Sequence, residues 1–142
     1  MSSTDIARVA GPFPNRSRVA VHHLPGGGGL VWALATARDK TGGVAAQTAD
    51  LLGLIDEYLR AAGTDRRRML RAEVFMADLG DKAAMDAVWS RFVPAGCGPV
   101  RSAVQTPMPA GDLVEIIVTA ALSHPGEAPG TPPDAWLEDE RQ

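Results

Sequence analysis

The sequence predicts an α+β fold with elements in the order ββαβαββ, one mixed sheet carrying both helices on a single face. Three observations carry this expectation. Apolar residues recur at spacings of three and four through residues 44–62 and 78–92, the signature of a helix with one buried face. Residues 17–24, 30–37, 69–77, 101–106 and 113–122 are short runs of strand length, alternating or continuously apolar. The helical segments are interleaved with the strands, so they are expected to pack as a layer on a common sheet.

Taken in order, residues 17–24 place Val19 and Val21 in an extended segment, Pro25 and the run Gly26 to Gly29 make a turn, and residues 30–37 return as a second strand. The glycine run is a poor phosphate cradle, because no Lys-Ser/Thr pair follows it and the next element is a strand. In the first helix Thr48, Leu51, Leu52, Ile55, Tyr58, Leu59 and Ala62 share a face, and Gly63 ends it. Asp50, Asp56, Glu57 and Arg60 fall largely on the other side, and Arg66, Arg67 and Arg68 read as a solvated turn. The third strand sets Leu70, Ala72, Val74 and Met76 against Arg71, Glu73 and Phe75. The second helix aligns Ala84, Met85, Val88, Trp89 and Phe92, with Asp81 as its N-terminal cap. Residues 107–112 join the last two strands.

The chain of 142 residues has the length of one domain. Residues 1–15 read as an N-terminal extension, 16–122 as the folded domain, and 123–142 as a tail rich in Pro, Gly and acids. In that tail only Trp136 and Leu137 could dock on the body or on another subunit. Hydrophobic residues at 45% and charged residues at 22% exclude a wholly disordered chain. A net charge of -3 argues against a nucleic-acid backbone as partner, since phosphate binding needs a basic footprint. No run approaches the roughly 18 to 20 apolar residues of a membrane span, and the N-terminus lacks a signal-peptide core, so a cytoplasmic setting without a membrane partner is expected. The single Cys97 excludes an intrachain disulfide, and no paired Cys/His spacing suggests a metal.

Two charges stand out. Leu113, Val114, Ile116, Ile117 and Val118 make the last strand apolar at both parities, yet Glu115 lies among them. Such a carboxylate must be paired, hydrogen-bonded or kept for chemistry. A strand apolar on both sides also predicts that the face without helices is covered by the sheet of another subunit. Arg101 opens the preceding strand, and a guanidinium there offers two parallel donors to a planar carboxylate. His22 and His23 point to opposite faces and cannot join one site.

Gln47-Thr48, Ala61-Ala62-Gly63, Val74-Phe75-Met76-Ala77-Asp78, Ala84-Met85, Trp89, Arg101-Ser102 and Val114-Glu115-Ile116 together resemble the RidA/YjgF/YER057c/UK114 family over residues 16–122. The resemblance implies a chorismate-mutase-like fold assembled as a homotrimer with small-molecule clefts between subunits. It implies hydrolysis of reactive enamines and imines, such as 2-aminoacrylate, to 2-keto acids and ammonia, with neither metal nor organic cofactor. Pro99-Val100-Arg101 matches the family's Pro-Ala-Arg, whose arginine holds the substrate carboxylate, and Glu115 matches the glutamate that positions the attacking water. Main-chain groups at Ala35 and Ala103 would complete the cleft, and Trp32 would stand in its wall or in the core.

Several positions depart from the family. Leu34-Ala35-Thr36 stands where Ser-Gly-Gln is usual, so the Ala35 methyl is expected to crowd a substrate. Arg16 takes the place of a tyrosine and Asp86 that of an asparagine. These changes keep open two other readings: a Rid-like enzyme of a dedicated pathway acting on another small molecule, and a non-catalytic small-molecule-binding trimer.

Overall fold

The structure, a computed structural model, describes residues 5–123; the tail with Trp136 and Leu137 lies outside them. Strands β1 (Ile6–Ala10), β2 (Ser17–His23) and β3 (Gly29–Thr36) precede helix α1 (Val44–Ala61), strand β4 (Met69–Met76), helix α2 (Lys82–Phe92) and strands β5 (Val100–Gln105) and β6 (Val114–Ala121). They form one mixed six-stranded sheet in the order β1-β2-β3-β6-β4-β5. Only β4 and β5 pair in parallel, as the α2 crossover between them requires. The expected ββαβαββ core is present, and β1 adds an edge strand within the segment read as an extension. All five residues of β1 are exposed, so it leaves no apolar period in the sequence, and backbone pairing with β2 defines it.

Strand parity sorts the sheet into two faces. Val19, Val21, Val31, Ala33, Ala72, Val74, Met76, Val114, Ile116, Val118 and Ala120 are all buried, and they meet Leu51, Leu52, Ile55 and Leu59 of α1 and Met85, Val88 and Phe92 of α2 in one core. The opposite parity forms an open face carrying Leu30, Trp32, Leu34, Thr36, Glu115, Ile117 and Phe75, none of them fully buried. Gly29 is obligatory at the hairpin: its φ is +141°, and a Cβ there would lie 1.9 Å from the His22 carbonyl oxygen.

Three local expectations need correction. Leu70 is 49% exposed, because the β4–β6 register shifts between Met69 and Arg71, and this irregularity puts Met69 in the core instead. Arg66 is not in a solvated turn. It is 3% exposed, donates from NH1 to Asp56 Oδ1 at 3.2 Å and lies over the Phe92 ring, so Asp56 is buried as well. Arg67 pairs with Asp65, and Arg68 donates to the carbonyls of Ala121 and Leu122, so all three arginines fasten the α1–β4 connection. Finally, Asp81 precedes α2 without a side-chain capping bond; Asp78 does the capping, accepting from Gly80 N–H at the 3-10 turn Leu79–Asp81.

Gln47 connects this frame to the site. It is buried in α1; its Nε2 donates to the carbonyls of Lys40, Gly42 and Gly111, and its Oε1 accepts from Leu113 N–H at 3.0 Å. One amide thus clamps the loop before α1 to the loop before β6, and fixes the chain two residues before Glu115. No helix among the described residues is long and apolar enough to cross a membrane.

Candidate functional site

Glu115 sits on the open face between Thr36 of β3 and Phe75 of β4, its partners across the two neighbouring strands. Half-buried among them, its carboxyl is pushed above the ordinary glutamate range, first by burial and then by the negative charge of Asp112. Asp112 is itself nearly buried and takes a bond from Lys40 Nζ. Glu115 is therefore a carboxyl biased toward holding a proton, on a surface the chain does not cover by itself.

Trp32 shares the open face but lies opposite Thr119, four residues along β6 from Glu115, or about 13 Å at strand spacing. It is 38% exposed and lines a shallow hollow with Arg18, Ala20, Leu34 and Ile117. Arg16 stands just before β2, at the end of the sheet where Thr36 and Glu115 lie, with its guanidinium over the Phe13 ring at 4.5 Å.

Arg101 belongs to the other side. Its parallel partner is Ala72, a core residue, so its side chain projects on the helix face at the β5 edge of the sheet. There NH2 donates to Asp86 Oδ1 at 2.6 Å, NH1 meets Met85 Sδ at 3.8 Å, and the guanidinium lies over the Trp89 ring at 5.4 Å. Lys82 Nζ holds the second oxygen, Asp86 Oδ2, at 2.7 Å. Burial by itself would raise the Asp86 carboxyl, but the bonds from Lys82 and Arg101 outweigh it and hold the group below the usual aspartate range. Arg101 and Asp86, matched from the sequence, thus come together, whereas Arg101 and Glu115 of one chain lie on opposite faces with β4 between their strands. Lys82 was missed; its i, i+4 spacing from Asp86 on a helical segment was the available signal.

The two alanines both lie on the helix face. Ala103 follows Arg101 on the helix face, half-buried. Ala35 is 2% exposed with its methyl in the core, so that methyl does not crowd the surface where Glu115 lies, contrary to expectation. Thr36, the next residue, is the one that faces Glu115. His22 meets Asp5 at 3.2 Å, and Cys97 is a free thiol in the loop before β5.

Residues 31–122, which hold all of β3 to β6 but the first two residues of β3, match the family model described as endoribonuclease L-PSP. The chain belongs to this family, also called RidA/YjgF. The RutC family protein YoaB of Escherichia coli (strain K12) is 42% identical over 77 residues, which are 54% of this chain and 68% of YoaB. A YjgF-family protein of Neisseria meningitidis has the same fold, with a TM-score of 0.75 at 30% identity over 84% of this chain and 96% of its own. More distantly, the 2-iminobutanoate/2-iminopropanoate deaminase of Capra hircus is 36% identical over 76 residues, 53% of this chain and 55% of that enzyme.

Proposed function

We propose that this YjgF-family protein hydrolyses small imines or enamines bearing a carboxylate to the keto acid and ammonia. The observation that carries the reading is the pair of matched groups in suitable states: a guanidinium at the sheet edge, and a half-buried carboxyl whose affinity for a proton is raised. The likeness to an imine deaminase supports the reaction class.

Arg101 would hold the substrate carboxylate through parallel N–H donors, which fixes the imine carbon in one orientation. Glu115 would take a proton from water as its oxygen adds to that carbon, and return it to nitrogen. The resulting carbinolamine loses ammonia when its C–N bond breaks and the hydroxyl proton passes to nitrogen by the same carboxyl. A carboxyl titrating above its ordinary range suits both halves of that exchange.

The two groups lie on opposite faces of one chain, so we infer a cleft between subunits of a homotrimer, Arg101 of one facing Glu115 of the next. The open face favours such assembly, since it exposes Trp32 and Val104 and leaves Leu34, Phe75 and Ile117 half-covered. The test is release of ammonia and keto acid from 2-aminoacrylate and bulkier imines generated in situ. Wild type accelerates release, and Arg101→Ala and Glu115→Gln do not while remaining assembled; no acceleration by wild type on any imine would refute the reading. The carboxylate already on Arg101 favours a second reading, an enzyme of the same fold with a different small-molecule substrate.

A further inference from the structure

Asp86 occupies the group that is to receive the substrate. Among the described residues the Arg101 guanidinium makes two hydrogen bonds, to Asp86 Oδ1 and to the thioether of Met85, a weak acceptor. Asp86 grips it with one oxygen, not as a bidentate pair, while the other oxygen stays on Lys82. All three side chains are partly open to solvent, Arg101 the least. The arrangement is that of a placeholder. An incoming carboxylate can take both arms of the fork, and Asp86 can release Arg101 without being stranded, because Lys82 still neutralises it.

We propose that Asp86 is a positioning residue, a displaceable internal carboxylate on Arg101, and that Lys82 sets how easily it is displaced. The inference rests on the reading of Arg101 as the substrate anchor. Two cations and one carboxylate leave the cluster a single net positive charge, which matches one carboxylate on the ligand and disfavours two. The substrate class is accordingly the monocarboxylate imine. Asp86 also preorders the guanidinium over Trp89 when no ligand is present, so the anchor is ready in orientation but weakened in affinity.

The experiment is calorimetric titration of the full chain with 2-oxobutanoate, the keto acid that hydrolysis of 2-iminobutanoate yields, and with its neutral amide. Wild type, Asp86→Asn, Lys82→Met and Arg101→Ala are compared, with melting temperatures as a check on folding. Asp86→Asn removes the competitor and should tighten 2-oxobutanoate binding roughly two- to fivefold, the scale of a partly exposed ion pair. Lys82→Met leaves Asp86 to Arg101 alone and should weaken it by a similar factor. The amide should respond to neither change, and in turnover Asp86→Asn should lower KM more than it alters kcat. Equal or weaker binding by Asp86→Asn would overturn the proposal and make Asp86 a plain support for Arg101, as would absence of binding to both wild type and Asp86→Asn. If the opposite-signed pair appears but no imine is hydrolysed, the competitor role stands and the hydrolase reading falls.

Discussion

The two faces of one sheet are built from the same strands and solve different problems. On the helix side, alternate residues of β2, β3, β4 and β6 are buried together, and Gln47 and Asp56 beneath them find partners within the chain, Gln47 in four main-chain groups and Asp56 in Arg66. On the open side the alternate residues of the same strands include Trp32, Thr36, Glu115 and Phe75, apolar enough to seek cover and polar enough to do chemistry. The first face is finished by folding; the second, in our account, is finished by another copy. In our account the fold and the Glu115 half of the site thereby fall to opposite parities of the same strands, while Arg101 joins from the helix side at the β5 edge, so a substitution on the open face can damage function and spare the fold.

The largest effect is expected on the helix side. Arg66→Ala takes a buried guanidinium away from the buried Asp56 carboxylate, which keeps its pair with Arg60, and removes the cation over Phe92, so urea denaturation should show a loss of about 3 to 5 kcal/mol. A loss below about 1 kcal/mol would mean the pair is only a surface bridge and the contrast between faces is weaker than drawn. On the open face, Trp32→Glu should change the stability of the single chain by roughly 0.5 kcal/mol or less, since that site is partly exposed, while preventing association in sedimentation velocity. An oligomer that survives the substitution would place the interface elsewhere.

A smaller effect, opposite in sign, is expected at Glu115. Its carboxyl titrates higher in the fold than in the unfolded chain, so the fold holds the proton more tightly and loses stability as pH rises from the ordinary value of 4.5 through the raised one. Glu115→Gln cannot ionise. It should melt with wild type in acid and above it at neutral pH, even though it is inactive. Parallel melting curves across that range would show that Glu115 ionises as freely in the fold as in solution.

Much of this was legible along the chain, for reasons that differ by element. The α1 stripe of Leu51, Leu52, Ile55 and Leu59 was plain because a helix packed on a sheet must bury one face, and the buried parity of β6, Val114, Ile116 and Val118, was plain for the same reason. Strand β1 was hidden because nothing in it is buried. Asp56 and Arg66 were misplaced on the solvent side because each charge is buried only by virtue of the other, ten positions away. At the site, the identities of Arg101 and Glu115 could be matched, but their separation onto opposite faces depends on the parallel β4–β5 register, a long-range property no local period carries. The contact of Asp86 with Arg101 depends in the same way on how α2 settles against the sheet edge.

The central claim is that one site draws Arg101 from one chain and Glu115 from another. The direct test is to unfold the Arg101→Ala and Glu115→Gln chains together, refold the equal mixture, and assay imine hydrolysis against each variant refolded alone. Random assembly into a closed ring of three leaves about a quarter of the clefts with both groups intact, so about a quarter of wild-type activity should return. A mixture no more active than its separate components, with mixed oligomers shown to be present, would contradict the account.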